Sequence, residues 1–319
     1  MIRRIAVPTP GEHVSVIYEK WKALGKDMPF ALAIGTEPVI PFVAGMPVGE
    51  NVSEADYIGA LLGEPVDVVA CETVALDVPA TAEIIIEGTM SIKERIHEGP
   101  MGDYSGFLAV GAGAANPVFH VSAITYRNNP ILPVVASGEP IEENHTCWGV
   151  GISSQVLWEL RQAGFPVTMC FAPFQGAVHT LVITVAHAAV VATTHEKLVN
   201  DLAALLFHSR AGSVIPKIVL TTDDIDPTNV EELFWALSTM CHPVRDQYLF
   251  ANEEIMPLVA YLEPEERKTA RGAKMIYCCL PAEGTPPGHE RIRSSFRHLW
   301  PKEIQEKVVA NWKNYGFAD

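Results

Sequence analysis

Apolar positions recur at helical spacing from His13 to Leu24, where Val14, Ile17, Tyr18, Trp21 and Leu24 fall on one stripe and Gly25 supplies a stop. A short apolar strand follows at Phe30 to Ile34. Ser53, with Glu54 and Asp56 behind it, reads as the capped first turn of a helix that ends near Gly63. Between Val66 and Tyr126 the period shortens towards two residues, through VDVVAC, AEIIIEG and the alternating run Phe119 to Tyr126, which predicts a mixed or antiparallel sheet. Beyond Ser137 and Gly138 helical and extended patterns alternate: Val150 to Gln162, Pro166 to Cys170, Thr180 to Val185, His195 to His208, Ser213 to Thr222 and Val230 to Met240. That alternation predicts an α/β layer, with a boundary near residues 137–145. A Pro- and Gly-rich loop from Pro281 to Gly288 then leads to a mixed-charge helix at Pro301 to Trp312, a detached final element suited to docking on a neighbouring subunit.

Composition narrows the classes. The 319 residues exceed what one hydrophobic core supports, about 250–300, so two cores are expected. An apolar fraction of 48% excludes disorder. The net charge of −15 repels phosphate backbones and anionic lipid, so neither nucleic acid nor a membrane surface is an expected partner. Six cysteines (Cys71, Cys147, Cys170, Cys241, Cys278, Cys279) show no C-x-x-C spacing and read as reduced thiols. With no apolar signal segment at the N-terminus, they predict a cytoplasmic protein. The most apolar run, Leu181 to Thr194, is broken by His187 and is too short to span a bilayer.

No dinucleotide fingerprint, phosphate-binding lysine loop or H-E-x-x-H appears. The loop Glu98-Gly-Pro-Met-Gly-Asp103 sets two carboxylates close together on a backbone shaped by glycine and proline. Paired acids push their pKa values apart and leave one able to donate a proton near neutrality. On spacing alone, a solvated loop is the favoured reading of the pair, since acids five apart are common.

The run Val78 to Lys93 (VPATAEIIIEGTMSIK), then Glu98 to Phe107 (EGPMGDYSGF) and Ile124 to Pro130 (ITYRNNP), resembles the UbiD family of decarboxylases. Phe171-Ala-Pro-Phe174, Arg210-Ala-Gly212, Asp223 to Asp226, Trp235 to Thr239 and Asn311-Trp312 continue the likeness in order. The resemblance implies a mixed α/β fold in three parts. Residues 1–140 would form a prenylated-FMN-binding domain of split β-barrel type, residues 141–295 an α/β oligomerisation domain, and residues 296–319 a helical tail.

Carried over position by position, the resemblance makes Glu98 the proton-transfer acid beside the flavin and Asp103 part of a carboxylate–arginine–carboxylate network. Asp rather than Glu at 103 is similar to the branch acting on aromatic hydroxy acids. His13 and Glu54 would ligate Mn²⁺ or Mg²⁺ at the flavin phosphate, with K⁺ as a further ion. Met46 and Pro47 would border the isoalloxazine, and Arg210 would support the phosphate. Trp148, Met256 and Leu258 match positions bordering the substrate, where an indole favours a compact acid over a polyprenyl one. Each has a plainer reading: a surface histidine, an acid at a helix start, a tryptophan filling core.

The resemblance also implies a metal-ligating Asn and a catalytic Arg that precede the position of His13 and that this sequence does not contain. The expectation is a carboxy-lyase active as the large subunit of a split enzyme, with a small subunit supplying both residues to act on a small carboxylic acid. A non-catalytic flavin-binding protein and a scaffold subunit are the alternatives.

Overall fold

The computed structural model describes residues 3–5, 13–48, 52–97, 101–109, 115–190, 193–286, 288–289 and 291–318. Along the first part of the chain run β1 (Arg3–Ile5), α1 (His13–Ala23), β2 (Met28–Ile34), α2 (Val39–Ala44) and α3 (Glu54–Leu62). They are followed by β3 (Val68–Ala70), β4 (Asp77–Pro79), β5 (Ile84–His97), β6 (Met101–Gly102), β7 (Leu108–Ala109) and β8 (Ala115–Tyr126). The helix starts and stops follow the sequence signals: Ser53 accepts the Asp56 amide at the head of α3, and Gly25 and Gly63, both at positive φ, end the two helices. Strands β1, β8, β5 and β2 form an antiparallel four-stranded sheet in that order. Among the described residues it is an open sheet with β1 and β2 at its edges, where the resemblance implies a barrel.

The second part opens with the 20-residue α4 (Glu143–Gln162), then β9 (Val167–Phe171), β10 (Thr180–Val185), α5 (His187–Val190), α6 (His195–Leu206), α7 (Arg210–Ser213) and β11 (Lys217–Thr222). It closes with α8 (Val230–Met240), β12 (Gln247–Glu254), α9 (Pro264–Thr269), β13 (Arg271–Cys278), α10 (Phe296–Leu299) and α11 (Lys302–Ala310). The five-stranded sheet runs β12-β13-β11-β10-β9, parallel across its centre and antiparallel at both edges.

Its central strands are apolar on both faces because both are covered. Leu181, Ile183, Ile218 and Leu220 join the main core with Ile152, Val156 and Leu160 of α4 and Leu198, Leu202 and Leu206 of α6. Val182 and Val219 point the other way, towards Leu233 of α8. Each fully buried aliphatic side chain contributes about 1.5–3 kcal/mol, so this part anchors the molecule. All six cysteines are free thiols. Among the described residues no helix is long and apolar enough to cross a membrane.

Candidate functional site

The site grows from α4. The sequence suggests a start at Val150, but the helix begins seven residues earlier in polar sequence. Glu142 is its N-cap: the carboxylate accepts the Asn144 amide, and the Glu142 amide donates to His145 Nδ1 at 3.0 Å. Because Nδ1 accepts, the proton sits on Nε2, which donates to the Tyr104 carbonyl at 2.6 Å. The fully buried His145 therefore ties the head of α4 to the loop carrying Asp103.

Tyr104 is the residue that sequence reasoning missed. Its ring packs edge-on against Trp148 at 5.3 Å and near His179 at 5.7 Å, and its hydroxyl points to Met256 Sδ at 3.7 Å. Burial, then the nearby Asp103 charge, pushes its phenol well above the ordinary range, so it stays a neutral donor. Its signal was an aromatic directly after the second acid of the loop. Burial lowers the pKa of His179, whose Nδ1 donates to Ala177 O at 2.7 Å, so its buried Nε2 is a bare acceptor beside this cluster. Trp148 also packs against the main core, so it spans the pocket and filler readings. Leu258 is 41% exposed, whereas Met256 is partly buried beside Ile255, Val259 and Leu262.

One turn beyond Trp148, α4 meets the other half of the site. A Cβ on Gly151 would lie 2.9 Å from Met46 Cγ, so only glycine lets the Met46-Pro47 turn press against the helix. Both turn residues are buried. The next residue, Val48, offers its carbonyl to Arg210 Nη1 at 2.7 Å. The same guanidinium nitrogen lies 2.6 Å from His13 Nε2, and His13 Nδ1 lies 2.9 Å from Glu54 Oε1. Since a guanidinium only donates, Nε2 accepts and the imidazole proton points at Glu54. Five residues singled out in the sequence, His13, Glu54, Met46, Pro47 and Arg210, thus converge on one corner.

That corner suits a hard divalent ion. Cis donors around a cation at ~2.1 Å stand roughly 3 Å apart, close to the 2.9 Å between Nδ1 and Oε1; an ion taking the Nδ1 lone pair would leave the imidazole proton on Nε2, so Arg210 would release Nε2 while keeping the Val48 carbonyl. Among the described residues no group of three or more His, Cys, Asp or Glu gathers, and the pair His13 and Glu54 is what they offer at this corner. Arg210 adds the positive charge a phosphate needs.

Asp103 is half-buried; its amide donates to Phe107 O at 3.0 Å and its carboxylate accepts from Ser105 Oγ at 3.4 Å. Glu98 lies outside the described residues.

Comparison with known proteins follows the same outline. The 3-octaprenyl-4-hydroxybenzoate carboxy-lyase Rift-related domain matches residues 3–140, and the C-terminal domain of the same name matches residues 145–279. The chain is 40% identical over 318 residues to the pyrrole-2-carboxylic acid decarboxylase of Pseudomonas aeruginosa, covering 99% of this chain and 64% of that protein. It is 35% identical over 311 residues to ferulic acid decarboxylase 1 of Saccharomyces cerevisiae, covering 96% and 62%. Thus it spans a little less than two thirds of these relatives. Among solved structures, vanillic acid decarboxylase of Sedimentibacter hydroxybenzoicus in its closed form superposes with a TM-score of 0.81 at 26% identity, covering 99% of this chain and 63% of that one. The UbiD-class enzyme HmfF of Pelotomaculum thermopropionicum, in complex with FMN, gives 0.77 at 25% identity, covering 97% and 64%.

Proposed function

Because this chain belongs to the UbiD family of carboxy-lyases, we propose that it forms the flavin- and substrate-facing part of a non-oxidative decarboxylase for a small aromatic or heteroaromatic acid. The observation that carries this reading is the His13–Glu54 pair, joined through Arg210 to the backbone beside Met46 and Pro47. In it a carboxylate oxygen, an imidazole nitrogen and one guanidinium adjoin an apolar turn, a set suited to a metal-bound flavin phosphate.

His13 and Glu54 would hold Mn²⁺ or Mg²⁺, Arg210 would balance the phosphate, and Met46 and Pro47 would lie along the ring system. Prenylated FMN, when bound, supplies the electron sink that takes up the electron pair as carbon dioxide leaves. The chain's own residues do the rest. Tyr104 and Trp148 would present their edge-to-face aromatic pair to the acid, and Glu98 would return a proton to the carbon that lost its carboxylate. Asp103 adjoins them as the second acid of the loop. The remaining third of the relatives' length, on this polypeptide or a partner, would supply the Asn and Arg that complete the metal and substrate sites. The test is carbon dioxide release, with solvent deuterium entering the product, from the flavin-loaded complete protein given pyrrole-2-carboxylate or a cinnamate. Tight flavin binding with no release from any such acid would instead favour a binding protein without turnover.

Trp148 should set the size of the acid. Trp148→Ala is expected to lower stability by about 1–3 kcal/mol, less than the 3–5 typical of a fully buried tryptophan, and to shift turnover towards the cinnamate. An unchanged ratio of the two rates, with a large fall in melting temperature, would make Trp148 core alone.

A further inference from the structure

Lys274 is a buried cation that the proposed chemistry does not use. It sits on β13 opposite Phe250 of β12 and is 1% exposed. Its Nζ donates to the Ser213 carbonyl at 2.5 Å and lies 4.8 Å from the centroid of the Phe207 ring, which packs edge-on against Phe250. Burial pulls this ammonium down to about 8, against the opposing pull of Glu253 and Glu254. A methionine of similar length would fill the space without the desolvation penalty, so packing alone does not account for a lysine here.

What the lysine holds is informative. Ser213 is the last residue of α7, and Arg210 is the first. A helix of 4 residues cannot sustain itself and must be held from outside. At its head, Ser209 Oγ accepts the Gly212 amide at 3.0 Å, and Ser213 Oγ donates back to Arg210 O at 3.1 Å. A Cβ on Gly212 would stand 2.3 Å from Leu206 O, so the turn lies directly on the end of α6. At its tail Lys274 satisfies a carbonyl that has no helical partner.

We propose that Lys274 is a positioning residue: by holding the Ser213 carbonyl it fixes the α7 turn, and through it aims the Arg210 guanidinium at His13 and the Val48 carbonyl. Its consequence for ligand binding rests on the reading of that corner as the seat of a flavin phosphate and a divalent ion.

The full chain is compared as wild type, Lys274→Met, Arg210→Ala and the double variant. Three measurements are made: melting temperature, hydrogen–deuterium exchange of residues 209–215, and FMN affinity in the presence of Mn²⁺. Lys274→Met should melt at or above the wild-type temperature while exchange in 209–215 rises at least tenfold and that in β11 does not. FMN affinity should fall roughly 2–30-fold, the usual range for residues acting through another. In the Arg210→Ala background the same change should add less than about twofold. Unchanged exchange in 209–215 would overturn the proposal, as would unchanged FMN affinity in Lys274→Met where Arg210→Ala lowers it. If exchange rises but Arg210→Ala leaves FMN affinity intact, the hold on α7 stands and the flavin reading of the corner falls. Should Lys274→Met not fold, Lys274→Gln, which keeps an N–H donor, is expected to show an intermediate rise in exchange; wild-type exchange with that shorter donor would overturn the proposal.

Discussion

Replacing Glu54 with alanine is expected to strip divalent metal and flavin from the protein together. The residue opens α3, where Ser53 already caps the helix and the side chain is half exposed. Losing an acid at that end costs the fold only about 0.3–1 kcal/mol, so the melting temperature should hold. Ligation is another matter. Among the described residues at the corner, Glu54 provides the carboxylate donor and the negative charge beside His13. Even outer-shell partners typically matter 10–100-fold for metal affinity, and a ligand should exceed that, leaving a phosphate opposed by Arg210 alone. Metal analysis and flavin absorbance of the purified variant check this. Wild-type content of both would move the metal site elsewhere.

Turnover should fall by roughly 10²–10⁴ in Glu98→Gln while flavin stays bound, the range that separates general acid catalysis from its absence. The amide preserves shape and hydrogen bonding but has no proton to exchange at neutral pH. The contrast with Glu54→Ala is the point of the pair: one variant empties the site, and the other keeps it full and idle. If the glutamine variant turns over at the wild-type rate, Asp103 becomes the candidate acid.

Much of this could be read from the sequence wherever local chemistry and tertiary demand agree. Helix α8 runs from Val230 to Met240 as its periodicity indicates, because the Asn229 cap and the apolar stripe both specify it. The stretch Ser213 to Thr222, which reads as one strand, divides instead. Ser209 caps a turn that absorbs Ser213, and β11 starts only at Lys217, after Pro216, which has no amide to give to a ladder. The edge strand β12 was hidden by its sequence, Gln247 to Glu254, whose half-exposed, charged end blurs the alternation. In β13 a lysine occupies a core position, against the pattern that marks a strand. At the site, likeness to a family placed His13, Glu54 and Arg210 around one phosphate, but the direct contact of Arg210 with His13 Nε2 was not legible, since no spacing rule relates residues so remote. Nor did periodicity reveal the early start of α4, whose first turn is held by a histidine and a carboxylate in place of apolar contacts.

That remoteness sets an order of assembly. His13 and Glu54 are 41 residues apart, whereas Arg210 and His13 are separated by 197. The length-dependent entropy of closing such spans is about 3 and 5 kcal/mol respectively, so the first pair can meet early and the second contact must wait until the second sheet has gathered enough buried surface to offset it. During synthesis the ribosome has released the whole of the first sheet, α4 and α6 before Arg210 emerges. A nascent chain can therefore bring together the pair proposed to hold the metal while still lacking the guanidinium beside it. If that corner holds the cofactor as proposed, its capture becomes a late checkpoint, available only to molecules whose two halves have already found each other.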